Sequence, residues 1–204
     1  MGPLPQPAGV ATRAPLTGTG QVKVWDPLVR LFHWTVAGGV IANLTFLEHA
    51  RAPHRYVGYV VVAAVAVRIV WGFVAAGHAK WTSFVPGPRS FLGYMQSLLA
   101  RRDPRYVGHN PAGAAMAIAL MLLIAIIGAT GWMMGTDRFW GVGWVEQVHK
   151  TAANVTLVAS GVHVIGAVVE SLRHRENLVW SMITGHKRAA TGTDIDHAPS
   201  SRRG

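Results

Sequence analysis

Four stretches of the sequence, each about twenty residues long, are almost continuously apolar. They run from Leu28 to Leu47, from Tyr56 to Gly77, from Ala112 to Met134 and from Thr151 to Val169. A helix of about 20 apolar residues crosses the roughly 30 Å of hydrocarbon in a bilayer. Half of all residues are hydrophobic and 14% are charged, against about 25% charged in soluble domains. These features exclude an ordinary water-facing surface and predict a membrane protein.

The length of the apolar runs favours helices over strands. Membrane β-strands show alternation over about ten residues, whereas these runs are continuous. Helix-start signals precede three of them, namely Asp26-Pro27, Pro53 and Asn110-Pro111, because a capping side chain or a first-turn proline suits a helix N-terminus. The predicted fold class is all-α, a transmembrane four-helix bundle. A short amphipathic helix on the membrane surface is also predicted after Ser90.

The distribution of basic residues predicts how the bundle is oriented. Fourteen of the 19 Lys and Arg residues lie in the stretch up to Arg30, in the 77–111 loop or in the tail from Arg173. By the positive-inside rule these segments, and therefore both termini, are cytoplasmic. The net charge of +10 is divided among short blocks between apolar runs, so we expect it to face anionic lipid and not nucleic acid.

The predicted organisation is a single membrane domain with a tail on either side. The four-helix domain covers 21–188. The flanking segments 1–20 and 189–204 lack apolar periodicity, so both are expected to be disordered.

Histidine is the strong metal ligand available to this chain, which contains ten histidines and no cysteine. His149 and His163 are 14 residues apart, so they share one helix face and lie about 21 Å apart along the axis. The predicted topology places His54 at the outer level with His149, and His33 at the inner level with His163. Two histidine pairs at two depths are therefore predicted.

Each pair has the donor set of a six-coordinate haem iron, in which the porphyrin supplies four nitrogens and two imidazoles the axial positions. Zinc is the competing metal, but it prefers about four ligands at one point. A lone histidine in a membrane helix can also serve only an interhelical hydrogen bond. Arg68 is predicted to face a haem propionate of the inner site or to snorkel to the interface. His49 is a reserve ligand for the outer pair.

Other residues near the span ends admit two interpretations or an ordinary one. Glycines could leave room for a flat macrocycle or allow close helix packing. The tryptophans are typical of an interfacial belt, and the loop and tail histidines are expected to be solvated. The glycines are Gly38, Gly39, Gly58, Gly128, Gly131, Gly161 and Gly166, and the solvated histidines are His78, His109, His174, His186 and His197.

Several short motifs together resemble the prokaryotic cytochrome b561 family, which includes the b-type cytochrome subunits of nickel-iron hydrogenases. They are VWDP at 24–27, RLFHW at 30–34, HRYVGY at 54–59, RIVWGF at 68–73 and GHNP at 108–111, with His149 and His163. The resemblance covers about residues 21–188. It implies a multi-pass cytochrome b of the bacterial inner membrane that carries two haem b groups with paired histidine ligands.

The resemblance also implies electron transfer between the quinone pool and a periplasmic or membrane partner. That partner is a di-haem cytochrome c, a hydrogenase or superoxide, and ubiquinone is an exchangeable substrate. Whether the chain is itself a quinone oxidoreductase stays open, as does a homodimer. Two rivals are a haem-free membrane anchor or assembly subunit and a small transporter with a histidine proton relay. Candidate proton donors to quinone are Asp137, Glu146 and Lys150 outside and Lys80, Arg89 and His109 inside.

Overall fold

The computed structural model describes residues 20–47 and 49–196. Within these ranges the chain consists of seven α-helices, a 3₁₀ turn at Gly77–Ala79 and a two-stranded sheet. The helices are α1 (Pro27–Thr45), α2 (Arg51–Val74), α3 (Trp81–Phe84), α4 (Pro88–Leu99), α5 (Pro111–Met134), α6 (Gly143–His174) and α7 (Leu178–Thr184), and the strands are β1 (Gln21–Lys23) and β2 (His186–Arg188). The fold is therefore mostly helical, as predicted, and it also contains a small sheet that the all-α prediction does not include.

Three helices in the described part of the chain, α2, α5 and α6, are long and apolar enough to cross a membrane. Helix α1 corresponds to the first predicted span, and its 19 residues include the polar side chains of Arg30, His33 and Asn43. Few residues of the three long helices are buried inside the protein, which is the pattern expected where lipid covers the apolar side chains.

The start signals of α1 and α5 act as the sequence predicts. The Asp26 carboxylate accepts a hydrogen bond from the Leu28 backbone N–H at 2.8 Å, and the Asn110 side-chain oxygen accepts one from Gly113 N–H at 2.7 Å. A proline occupies the first helical position after each cap. These contacts satisfy backbone donors that a helix N-terminus leaves unpaired.

Helix α6 is longer than its predicted span. It begins at Gly143, eight residues before Thr151, and continues to His174, so its 32 residues extend for about 48 Å. The predicted span is limited to the apolar run, whereas in the structure the polar residues on either side of that run also belong to the helix. An i,i+4 ion pair between Lys150 and Glu146 at 2.5 Å supports the first turns.

The long helices pack in the order α1 on α2, α2 on α5, and α5 on α6. The buried cluster between α2 and α5 is small and consists of Val61, Val65, Ala114, Met121 and Ile124, with residues of α1 packed against it. Helix α4 lies where the surface helix is predicted, packs on α5 and buries Tyr94, while Leu92 and Leu99 stay exposed.

We call the end with the sheet and residues 77–110 the inner end, and the end with the 46–50 and 135–142 loops the outer end. At the inner end β1 pairs antiparallel with β2. Residues 189–196 differ from the expected disordered tail, because Ile195 exchanges backbone hydrogen bonds with Arg105 and Val107. The expected tail residues 1–19 and 197–204, with His197, lie outside the described residues.

Candidate haem-binding histidine pairs

The structure brings the four predicted histidines together as two facing pairs. His54 of α2 faces His149 of α6, with ring centres 6.3 Å apart and ring planes at 58°. His33 of α1 faces His163 of α6, with ring centres 6.5 Å apart and ring planes at 51°. Helix α6 thus contributes one histidine to each pair.

The spacing within each pair fits one metal ion between two imidazoles. A metal–imidazole bond of about 2.0 Å, added to about 1.1 Å from nitrogen to ring centre on each side, separates the ring centres by about 6.2 Å. The two observed separations of 6.3 and 6.5 Å agree with this value. Two imidazoles in direct hydrogen-bond contact would lie closer together, so the pairs leave room for an ion between them.

The hydrogen bonds of His149 leave one of its ring nitrogens available as a ligand. Its Nδ1 lies 3.1 Å from the Ile127 carbonyl oxygen and 3.1 Å from the Thr130 hydroxyl. The Thr130 hydroxyl itself donates to the Ile126 carbonyl, so Nδ1–H is the donor to Thr130. Nε2 is then the unprotonated nitrogen, and a hydrogen bond of this kind fixes both tautomer and ring orientation in metal-binding histidines.

Two other histidines of the pairs have a buried nitrogen without a hydrogen-bond partner among the described residues. These nitrogens are Nδ1 of His33 and Nδ1 of His54. Buried polar atoms are nearly always paired, so an unpaired one requires an explanation. A cofactor bound beside these rings would change the contacts of the two nitrogens and would thereby explain them.

A cavity of about 400 Å³ adjoins the outer pair. Its walls are mainly apolar, with His54 and His149 among them and the basic side chains of Arg51 and Arg55 also lining it. This volume lies within the range of about 300–1,000 Å³ typical of cofactor and ligand sites. The two arginines were not predicted as site residues, although Arg55 directly follows a predicted ligand.

The glycines divide between the two predicted roles. A Cβ on Gly39 or Gly128 would lie 2.3 Å from a methyl group of Val61 or Val62, so these two glycines allow close helix packing. Gly131 borders the outer cavity, and a Cβ there would lie 3.2 Å from Cε1 of His149. At Gly131 the missing side chain leaves space for the ligand ring.

Arg68 is buried, with 3% of its surface exposed. Its guanidinium lies over the Trp81 ring, 4.7 Å from the ring centre. The Trp81 indole reaches this position because Gly72 has no side chain, and its N–H donates to the Ile69 carbonyl at 3.0 Å. Arg68 therefore does not snorkel out of the protein, and Trp81 is its packing partner. The sequence gives no signal for this contact.

Several histidines expected to be solvated have partners at the inner end. His109 packs edge-on against Trp25 with ring centres 4.7 Å apart. Burial, followed by the nearby Lys187 and Arg68 cations, lowers the pKa of His109 to about 3, so its ring is neutral at physiological pH.

His78 pairs with Asp196 at 2.8 Å. The expectation of solvated rings is wrong for both His78 and His109, because the loop before α5 packs beneath the C-terminal segment. His186 is exposed as expected, and the reserve ligand His49 is also exposed.

Apolar helices of membrane-spanning length joined by histidine pairs define a membrane cytochrome of the b type. A comparison with protein families matches residues 24–185 to the family described as prokaryotic cytochrome b561. The chain belongs to this family, and the predicted resemblance is confirmed. Membership implies haem b as the cofactor.

Relatives with similar sequences are each described as a probable Ni/Fe-hydrogenase B-type cytochrome subunit. The protein from Rhodobacter capsulatus is 28% identical, over 88% of this chain and 87% of the relative. That from Bradyrhizobium diazoefficiens is 26% identical, over 84% and 87%. The protein from Cupriavidus necator is 25% identical, over 80% and 86%. The alignments thus cover most of both chains.

Proposed function

We propose that this protein is a di-haem b cytochrome that transfers electrons through the membrane. His54 and His149 would hold the outer haem, and His33 and His163 the inner one. The observation that carries the proposal is the ring-centre separation of 6.3 and 6.5 Å in the two pairs. The two α6 ligands are 14 residues apart, so the sites are stacked about 21 Å apart along that helix.

Haem iron, when bound, supplies reversible one-electron chemistry between its ferrous and ferric states. Two histidines would hold each haem, which would suit one-electron transfer better than reactions that need a free ligand site on the group. Ile127 and Thr130 hold the His149 ring with Nε2 directed away from their hydrogen bonds. The buried Arg68 and the cavity-lining Arg51 and Arg55 are cations of the kind that pair with propionate carboxylates.

We further propose that α1 is a fourth span and that both termini are cytoplasmic. Its 19 residues extend for about 28 Å, which nearly matches the roughly 30 Å of bilayer hydrocarbon. The positive-inside rule supports this orientation, as most of the basic residues belong to the inner end or to segments next to it. The membrane would then be the bacterial inner membrane.

The relatives and the two-level arrangement support a proposal for the two redox partners. Because the relatives are described as hydrogenase cytochrome subunits, we propose a hydrogenase-type enzyme as the redox partner at the outer end. A membrane quinone is the proposed second partner, since it is the lipid-soluble carrier accessible to a protein whose helices face lipid.

The test is a reduced-minus-oxidised optical spectrum of the detergent-purified protein, combined with a haem count. We expect two low-spin b-type haems per chain. A folded protein without haem would support the rival haem-free anchor. A single haem would show that one histidine pair serves helix packing only.

A Thr130→Val substitution is expected to raise the reduction potential of the outer haem. Loss of the hydroxyl removes one acceptor of the His149 Nδ1–H, so the imidazole becomes a weaker donor and stabilises ferric iron less. A hydrogen bond contributes about 0.5–1.5 kcal/mol, which corresponds to at most about 60 mV for one electron. Redox potentiometry measures the shift, and the inner haem, which Thr130 does not touch, serves as the internal control. Equal shifts of both haems would contradict the assignment.

A further inference from the structure

A second cluster of metal-ligating side chains lies at the inner end, apart from both histidine pairs. It consists of Asp103, in the loop after α4, and of Glu170 and His174, one turn apart near the end of α6. His174 Nε2 lies 3.4 Å from an oxygen of each carboxylate. His174 is also 11 residues beyond His163, or about 16 Å along the helix, so the cluster is separate from the proposed haem sites.

Two atoms that face each other in this cluster are buried and have no hydrogen-bond partner among the described residues. They are Oδ2 of Asp103 and Nε2 of His174. The Asp103 side chain is only 2% exposed, so solvent does not satisfy it. The cluster therefore has a feature that a bound ion would explain, namely two buried ligand atoms that lie close together without a hydrogen bond.

Neighbouring side chains hold both carboxylates of the cluster in place. Arg173 pairs with Oδ1 of Asp103, and the Asn110 side-chain amide donates to Glu170 Oε1 at 2.9 Å. Contacts of this kind orient the carboxylates in metal sites. Arg173 offsets one of the two carboxylate charges. The pKa of the nearby Tyr94 is raised by burial and by the Glu170 and Asp103 carboxylates, so its phenol stays protonated beside them.

We propose that Asp103, Glu170 and His174 form a zinc site that ties the loop before α5 to the end of α6. In a tetrahedral site with bonds of 2.0–2.1 Å, neighbouring ligand atoms are about 3.4 Å apart. Both His174–carboxylate distances have this value. One imidazole and two carboxylates are a donor set that zinc accepts, with a water molecule as fourth ligand.

The experiment measures zinc binding to the haem-loaded full-length protein. Purified protein is titrated with ZnCl₂ by calorimetry, and bound zinc is counted by elemental analysis after removal of excess metal. We expect one zinc per chain and at least a tenfold loss of affinity in both His174→Ala and Glu170→Gln. The matched control is His78→Ala, which removes another inner-end histidine that pairs with an aspartate and is expected to leave zinc binding unchanged.

X-ray absorption at the zinc edge tests the wild-type protein directly, even if one variant does not fold. The expected spectrum has one imidazole and light oxygen ligands at about 2.0 Å. Zinc that is retained in His174→Ala and in Glu170→Gln, or a wild-type protein that binds none, would overturn the proposal. The haem spectrum is recorded on the same samples, so loss of zinc binding and loss of haem are distinguished.

Discussion

The His163→Ala variant is expected to lose the inner haem and to keep the outer one, so that haem per chain falls by about half. Without His163, only His33 would remain to hold the inner haem, and the smaller side chain would leave a gap between α1 and α6. His149 lies toward the other end of α6, where His54 of α2 faces it. Neither ring contacts the position of His163. The measurement is a haem count with a reduced-minus-oxidised spectrum of the purified variant.

A matched control separates ligand loss from a general loss of folding. His186 is exposed at the inner end, and its ring nitrogen Nδ1 lies 3.0 Å from the nearby Thr184 carbonyl oxygen, so His186→Ala is expected to keep both haems. At the outer end His54→Ala and the exposed His49→Ala form the equivalent pair of variants. If His163→Ala bound two low-spin haems, the inner pair would be a packing contact and the di-haem proposal would fail.

The positions of the four histidines could be predicted because each depends on helix periodicity and depth. The 14-residue spacing of His149 and His163 determines their shared face. His33 and His54 each lie near one end of a different apolar run, which predicts their depth. Helix periodicity cannot predict the ring separations or the hydrogen bonds of His149 to Ile127 and Thr130, which the structure shows. Those two residues lie on a different helix, so only tertiary packing brings them to the ring.

The inner end was poorly predicted for a related reason. Arg105, Glu176 and Asp194 occupy three polar segments without periodicity, and each alone is typical of a solvated loop. Their ion pairs join residues 71 and 89 positions apart in the sequence. A local pattern carries no information about such contacts, so the ordered segment 189–196 was expected to be disordered. Similarly, the Arg68–Trp81 stacking depends on the absence of a side chain at Gly72, and no apolar pattern predicts this contact.

The second large effect is expected from Arg105→Ala, which should destabilise the protein by about 3–5 kcal/mol. The Arg105 guanidinium is buried and donates to both oxygens of Glu176 at 2.8–3.1 Å and to Asp194 at 2.7 Å. Its removal leaves two largely buried carboxylates without their main partner. Lys187, 3.4 Å from Glu176, compensates in part, which places the effect toward the lower end of the range.

Chemical unfolding in detergent, followed by tryptophan fluorescence, measures this difference. Trp25 lies in the same region, where its indole donates to Ser181. The matched control is Lys150→Ala, which breaks an exposed ion pair with Glu146 and is expected to change the stability little, because solvent screens exposed ion pairs. Equal stability of the two variants would show that the Arg105 contacts do not hold the inner end together.

The same contacts make the inner end sensitive to acid. Burial would raise the pKa of Glu176, but hydrogen bonding to Arg105 and the Lys187 charge outweigh it and lower that pKa below its ordinary value of 4.5. The pKa of Asp194 is lowered in the same way, since burial is outweighed by hydrogen bonds from Thr191 and Arg105. Their contribution to stability is therefore complete above the ordinary values and is lost as the pH falls through the lowered ones. In Arg105→Ala both pKa values rise, so we expect the pH-dependent part of the stability to be smaller and its loss to begin at higher pH. Unfolding curves measured between pH 3 and pH 7, for both proteins in the same detergent, test this, and parallel pH profiles would contradict it.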